Sequence, residues 1–255
     1  MPYRLGVDIG GTFTDATLIN EDTGEIRIGK ISSTPDDPSM GFLEATLRIL
    51  RENNVSASEV SYVVHGTTVA TNAIIEGKIA HTGFVTTDGF RDMLEIGRQI
   101  RPSLYDLQFE KPKPLVPRYL CFGVPERLDA RGEVLIPLDE RAVRQVAEML
   151  REEQVVSVAV CLLHAYANPD HEKRVGEIIQ DVSPETIISL SSEVAPEFGE
   201  YFRASTTVIN AGIRPVVARY LERIEKRLRE EGLTAELLLM QSSGGVYTFT
   251  EAGRK

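Results

Sequence analysis

The clearest chemistry in the chain lies in Asp8-Ile-Gly-Gly-Thr-Phe-Thr-Asp15. Gly10 and Gly11 permit backbone torsions that a Cβ would forbid, and they let a ligand come close to peptide N–H groups. Hydroxyls follow at Thr12 and Thr14. Such a donor set suits a phosphate; the alternative is a tight hairpin whose glycines serve only the turn. Thr67, Thr68 and Asn72 stand where an apolar run meets a helix-like one. That junction can aim backbone N–H groups at an anion, or a hydroxyl there can simply cap the helix. His65 either orients a phosphate or substrate oxygen or is hydrogen-bonded structure. Arg98 and Arg101 can clamp a substrate carboxylate bidentately, or pair with Asp92, Glu95 or Asp106. His164 and His171 have no third ligand in view, which argues against a metal site. Arg203 and Asn210, about two helical turns apart, either share a groove or belong to a salt-bridged helix surface.

The elements that would position these groups follow from periodicity. Leu5, Val7 and Ile9 alternate with Gly6 and Asp8, so the stretch predicts a strand delivering Asp8 near its carboxyl end. The run from Thr14 to Asn20 alternates too, which makes Gly-Gly-Thr a hairpin turn and not a strand-to-helix turn. There is accordingly no G-x-x-x-x-G-K-[ST] and no G-x-G-x-x-G. Ile26 to Ile31 predicts the third strand of a meander, and a helix follows Pro38 with Ser39 as its cap. Tyr62 to Val64, a helix begun near His65 and ended at Glu76-Gly77-Lys78, and a strand at Phe84-Val85 predict a βαβ unit with a parallel sheet. From Gly89 to Arg127 the periodicity is lost amid five prolines, which predicts a long extended excursion well beyond the usual limit of about 12 to 15 residues. A functional loop or subdomain insertion is expected there more than disorder, since Leu94, Ile96, Ile100, Leu104, Tyr105, Leu107 and Phe109 can anchor it. A second βαβ unit is expected over Val155 to Leu190, then two helical stretches around Glu200 to Gly232, a strand at Leu237 to Met240, and a loop at Ser242-Ser-Gly-Gly245.

Composition narrows the classes. The 255 residues are enough to bury a core without staples. Cys121 and Cys161 are far apart, without metal-ligand spacing, and are expected as buried thiols. The absence of a signal-like start and of an apolar run of about 20 residues predicts a soluble, cytoplasmic protein without membrane partners. A net charge of −10 argues against nucleic acid, so an anionic ligand must be held by local donors and metal.

An Asp before a glycine hairpin with hydroxyls after it resembles the first phosphate motif of the actin, Hsp70 and sugar-kinase superfamily, whose lobes are ribonuclease H-like α/β folds with a mixed sheet. The resemblance places Asp8 toward Mg²⁺ and Gly10, Gly11, Thr12 and Thr14 toward the phosphates of ATP. Further segments resemble the A subunit of the hydantoinase/oxoprolinase family more narrowly: His65-Gly-Thr-Thr-Val-Ala-Thr-Asn72, Gly89-Phe-Arg-Asp-Met-Leu-Glu-Ile-Gly-Arg98, Arg101-Pro-Ser-Leu-Tyr-Asp106, Pro114-Leu-Val-Pro-Arg118, Asn168-Pro-Asp-His-Glu172 and Ser205-Thr-Thr-Val-Ile-Asn210. This resemblance implies cleavage of ATP coupled to opening of a cyclic amide such as a hydantoin or 5-oxoproline, by phosphorylation of the substrate oxygen. It also implies a B subunit or B-type domain as partner, and leaves a homo-oligomer open. An acetone-type carboxylase subunit and a small-molecule kinase are the alternatives. Such A subunits are longer and carry a second phosphate motif and an adenosine segment downstream. The expectation is therefore an N-terminal domain over residues 1–190, with an insertion at about 89–127, and the opening of a second domain over 191–255, inactive without the rest.

Overall fold

The structure, a computed structural model, describes residues 2–34, 37–100 and 105–253. The chain divides into two compact units, one formed by residues 1–76 with 216–255 and the other by residues 77–215.

The first unit begins with β1 (Tyr3–Ile9), β2 (Phe13–Asn20) and β3 (Ile26–Ser32), an antiparallel meander as the alternation predicts. Leu5, Val7, Ile9, Ala16 and Leu18 are all buried on one face of it. Helix α1 (Pro38–Glu52) covers that face with Phe42, Ala45 and Ile49. Its cap is Asp37, not Ser39 as the sequence reading had it: the Asp37 carboxylate accepts from the Ser39 N–H at 3.2 Å and the Ser39 hydroxyl at 2.5 Å. Pro38 takes the first helical position, where its missing N–H costs nothing. Strand β4 (Val60–Thr67) pairs parallel with β1 and runs through His65-Gly66-Thr67, three residues beyond the apolar run that signalled it. The short helix α2 (Val69–Ile75) follows.

The second unit opens with β5 (Thr82–Thr87), which lies in a different sheet from β4. The expected βαβ unit across α2 is therefore absent, because periodicity identifies strands but not the sheet they join. Short helix α3 (Met93–Ile96) and strand β6 (Cys121–Val124) fall inside the stretch expected to be irregular, and β6 pairs parallel with β5. Next come the two-stranded ribbon β7 (Arg127–Leu128) and β8 (Val134–Ile136), helix α4 (Glu140–Glu152), β9 (Ser157–Cys161), α5 (Asp170–Val182), β10 (Ile187–Leu190) and α6 (Ser191–Val194). The four-stranded sheet has the order β10-β9-β5-β6 and is parallel throughout. Here the second βαβ unit, β9-α5-β10, is present as expected. Every residue of β5 and β9 is buried, as strands covered on both faces require. Cys121 and Cys161 are buried free thiols in this core, and burial pushes both up to about 11.

A single helix, α7 (Glu200–Glu230), replaces the two stretches expected there and carries Pro215 inside it. Proline removes the hydrogen bond to the carbonyl four residues back. That carbonyl, on Ala211, accepts instead from the Ser157 hydroxyl at 2.7 Å, and the next, on Gly212, accepts from the Ala80 N–H at 2.9 Å. The chain then returns to the first unit with β11 (Glu236–Met240), parallel to β4, then β12 (Val246–Thr248) and α8 (Phe249–Ala252). The mixed sheet of this unit has the order β12-β11-β4-β1-β2-β3. Tyr220, Leu221, Ile224 and Leu228 of α7 join α1 on its buried face, while Ile26, Ile28 and Met240 remain exposed. Among the described residues no helix is long and apolar enough to cross a membrane.

Candidate functional site

The first unit gathers three loops at one end of its mixed sheet. Strands β1, β4 and β11 are mutually parallel, so the β1–β2 hairpin, the β4–α2 turn and the β11–β12 loop all follow their carboxyl ends. Ile9 pairs with both Thr14 and Thr67, and Asp8 with both Asp15 and Gly66, which places Asp8 beside the β4–α2 turn. In open sheets this is where ligands collect.

The hairpin is tight: the Gly10 N–H donates to the Phe13 carbonyl at 3.0 Å. Neither Gly10 nor Gly11 adopts the left-handed region, which corrects the torsional reason given for them from sequence. Their use is spatial. A Cβ on Gly10 would stand 3.1 Å from the Phe13 carbonyl oxygen, whereas one on Gly11 would meet nothing within 4 Å, so the turn is open to an approaching group. Thr12 is exposed and Asp8 is exposed, and neither side chain has a hydrogen-bond partner among the described residues. Thr14 differs: it is wholly buried, and its hydroxyl meets the Ser33 hydroxyl at 3.0 Å. Ser33 in turn donates to the Gly10 carbonyl at 2.7 Å, and its N–H donates to Thr12 at 2.9 Å. Thr14 thus braces the hairpin from within, and Ser33, which sequence reasoning did not single out, is the clamp.

On β4, a Cβ at Gly66 would come within 2.9 Å of Asp8 Oδ1, so the glycine is the floor on which the carboxylate rests. The Thr67 hydroxyl accepts from the Val69 N–H at 3.2 Å, a local turn at the start of α2, while Thr68, the N-cap residue, makes no side-chain cap bond. Thr68 and Asn72 are exposed and linked to each other, Asn72 Nδ2 donating to the Thr68 hydroxyl at 3.4 Å. His65 is fully buried. Burial pushes its pKa down to about 4, opposed only by the bond to Val7, so the ring is neutral at pH 7. Nδ1 donates to the Val7 carbonyl at 3.1 Å and Nε2 accepts from the Tyr220 hydroxyl at 2.7 Å. Both nitrogens are taken, and the histidine cannot meet a substrate; it ties β4 to β1 and α7. Burial raises the pKa of the Tyr220 phenol.

The third loop, Gln241-Ser242-Ser243-Gly244-Gly245, was read from sequence only as a connection. Gly244 has φ +92°, the Gln241 N–H donates to the Gly245 carbonyl at 2.8 Å, and residues 242–245 are exposed. A Gly-Gly pair in the short loop after a strand is the signal that marks it, as one marks Gly10-Gly11.

Arg98 lies in the second unit, exposed, with its guanidinium 5.0 Å from the centroid of the Phe202 ring. Asp92, a partner considered for it, is instead bound to Arg118 at 2.6 Å. Arg101 lies outside the described residues. Arg203 is neither in a groove nor on a surface: it is buried, donating to Ser191 Oγ at 3.0 Å and the Leu162 carbonyl at 2.6 Å.

Among the described residues no group of three or more acidic, histidine or cysteine side chains can hold a metal. The donors at the hairpin fit a weaker arrangement. Asp8 faces Asp15 across the strands, and Lys30 neutralises Asp15 at 2.9 Å, which leaves the Asp8 charge uncompensated. One carboxylate suits a Mg²⁺ ion that keeps water and takes its other ligands from phosphate oxygens.

Comparison with known proteins decides the family. Residues 4–183 match the family model described as the hydantoinase/oxoprolinase N-terminal region, and residues 203–255 match the model described as hydantoinase/oxoprolinase. The chain belongs to the hydantoinase/oxoprolinase family. It is 36% identical over 250 residues to the caprolactamase alpha subunit of Pseudomonas jessenii, covering 96% of this chain and 36% of that one. The crystal structure of the ATP-dependent caprolactamase of that organism superposes with a TM-score of 0.88 at 35% identity, over 96% of this chain and 36% of the other. The 5-oxoprolinase of Saccharomyces cerevisiae is 31% identical over 282 residues, 95% of this chain and 22% of that protein. A nucleotide-free acetone carboxylase structure gives a TM-score of 0.85 at 26% identity, over 98% of this chain and 37% of that one. The chain thus spans between about a fifth and just over a third of the length of these relatives. The family includes ATP-dependent enzymes acting on cyclic amides as well as carboxylases, and the caprolactamase relative is one subunit of a larger enzyme.

Proposed function

We propose that this chain supplies the first phosphate-binding edge of an ATP-dependent enzyme that opens a cyclic amide, in a lobe of the actin, Hsp70 and sugar-kinase type. The observation that carries the reading is the convergence of Asp8, the open Gly11-Thr12 turn and exposed Thr68 at the carboxyl ends of parallel strands, with the Asp8 and Thr12 side chains unpartnered among the described residues. The backbone N–H groups of Gly11 and Thr12 and the Thr12 hydroxyl are the donors for phosphate oxygens, the Gly10 N–H being spent on Phe13, and Asp8 is the residue that would hold Mg²⁺. When bound, Mg²⁺ supplies charge neutralisation at the transferred phosphoryl group. His65, buried and neutral, adds no charge to the site and fixes β4 against β1.

The chemistry is activation. An amide carbonyl is a poor electrophile, and transfer of the γ-phosphoryl group to its oxygen, with ADP leaving, makes its carbon susceptible to water. Water adds, the ring C–N bond breaks to give an acyl phosphate and an amine, and a second water releases phosphate. A carboxylase relative would use the same phosphate edge on a ketone's enol oxygen, and the 26% identical acetone carboxylase keeps that second reading in view. Residues supplied by the remainder of the full-length protein and by a partner subunit complete the site.

The test is Asp8→Ala in the full-length parent, assayed for ADP release with a panel of lactams, hydantoins and 5-oxoproline. The expected result is a fall in kcat of at least about 100-fold, some 3 kcal/mol of transition-state stabilisation, without loss of folded protein. Unchanged turnover would sink the assignment.

A further inference from the structure

The second unit contains an open cavity of about 280 Å³ that has no part in the phosphate edge. One wall is a face of α7, where Tyr201, Ser205, Val208 and Ile209 recur at helical spacing. Leu94 of α3 lies beneath, and the segment Lys111-Pro-Lys-Pro-Leu115 forms the other wall.

The composition of the two walls is what points to a ligand. Val208 is buried, and with Leu94, Leu115 and Ile209 it gives the cavity an apolar body. Four of its lining residues carry polar groups without partners: the exposed Lys111 and Lys113, Tyr201 and Ser205 have no side-chain hydrogen bond or ion pair among the described residues. The lysines alternate with Pro112 and Pro114, whose fixed φ keeps this wall extended and holds both side chains at the same cavity. Lys111 Nζ and the Tyr201 ring close on the backbone of Gly97, each 3.7 Å from where a Cβ there would stand. Gly97 has φ +57°, a conformation that glycine accepts without strain. In a chain of net charge −10, two unpaired lysines at one apolar cavity make a local positive mouth.

We propose that this cavity binds a small organic carboxylate with a compact apolar body, its charge between Lys111 and Lys113, a carboxylate oxygen accepting from Tyr201 or Ser205, and its hydrocarbon against Leu94, Leu115 and Ile209. The volume lies at the lower limit for small-molecule sites, which suits a compact ligand, and the apolar walls disfavour a bare inorganic anion. The assignment does not depend on the ATP reading, because it needs no nucleotide and no residue of the first unit.

The experiment is a calorimetric and NMR titration of the 255-residue chain with cyclohexanecarboxylate, the neutral cyclohexanecarboxamide and inorganic phosphate. The expected result is saturable binding of the carboxylate, at least tenfold weaker for the amide and for phosphate. The double substitution Lys111→Ala with Lys113→Ala, at exposed positions, weakens the carboxylate at least tenfold, and Tyr201→Phe weakens it several-fold. Amide binding as tight as carboxylate, phosphate binding as tight as carboxylate, insensitivity to the lysine pair in variants with native circular dichroism, or no saturation each overturns the proposal.

Discussion

Two sheets in this chain collect polar side chains at the carboxyl ends of parallel strands, and they use them in opposite ways. In the first unit Asp8, Thr12 and Thr68 are exposed, and Asp8 and Thr12 have no partner among the described residues. In the second unit the equivalent ends hold an interior network. Thr87 donates to Glu126 and accepts from the Leu163 N–H at 3.0 Å, and His171 Nδ1 meets the other Glu126 oxygen at 2.8 Å. Glu172 accepts from Ser191 at 2.5 Å and from the N–H groups of Leu162 and Ser192 at 2.9 and 2.8 Å, and Ser191 also receives Arg203. Burial raises the Glu172 pKa, with these bonds opposing it. The position at strand ends is therefore common to both; unspent hydrogen-bonding capacity is what separates a site from a brace.

The largest expected effect is at Arg203. Arg203→Met removes a buried cation that holds Ser191 and the Leu162 and Glu197 carbonyls, and it leaves those acceptors in a dry interior. The expected loss is about 3 to 5 kcal/mol, read as a lower urea midpoint. A loss under about 1 kcal/mol would mean the second network is no more structural than the first.

A smaller effect comes from His65, the buried brace of the open site. Its folded pKa of about 4 lies below the ordinary 6.5, so from pH 6.5 downward the unfolded chain binds the proton that the folded chain refuses. The stability is therefore complete above pH 6.5 and is lost as pH falls toward 4, by about 1.4 kcal/mol per pH unit at steepest. Asp37, whose carboxylate is held low by Ser39 and Arg227 against the opposing effect of burial, loses its contribution only at still lower pH. In His65→Gln the slope between pH 6.5 and 4 should flatten by that amount in thermal or urea denaturation, though the variant is less stable at pH 7. An unchanged slope would place the titration elsewhere.

What the sequence made legible was local. Alternation and Gly-Gly located the first hairpin, and a family-specific run located Thr67, Thr68 and Asn72 beside it. What escaped depended on distant partners. Pro215 stays helical because Ser157, 58 positions away, takes the orphaned Ala211 carbonyl. His65 is closed to substrate by Tyr220, 155 positions on. The separate sheets of β4 and β5 have no signature in either strand. The superfamily resemblance places Thr14 toward phosphate, whereas the pleat of β2 turns it inward to Ser33.

The smallest expected effect is at Asp8, and its smallness is the point. The side chain is exposed, makes no hydrogen bond among the described residues, and faces the like charge of Asp15 across the strands. Like charges directly opposite are unfavourable, and Lys30 relieves only Asp15. Asp8→Asn keeps the shape and removes the repulsion, so the 255-residue chain should unfold within about 0.5 kcal/mol of the parent, with any change toward greater stability. Urea denaturation at low salt is the sensitive measurement, because added salt screens the repulsion and should shrink the difference. A carboxylate retained where the fold gains nothing from it is in place for a cation brought by a ligand. A destabilisation of 2 kcal/mol or more, on the scale set for lost buried hydrogen bonds, would instead put Asp8 among the braces with Glu172.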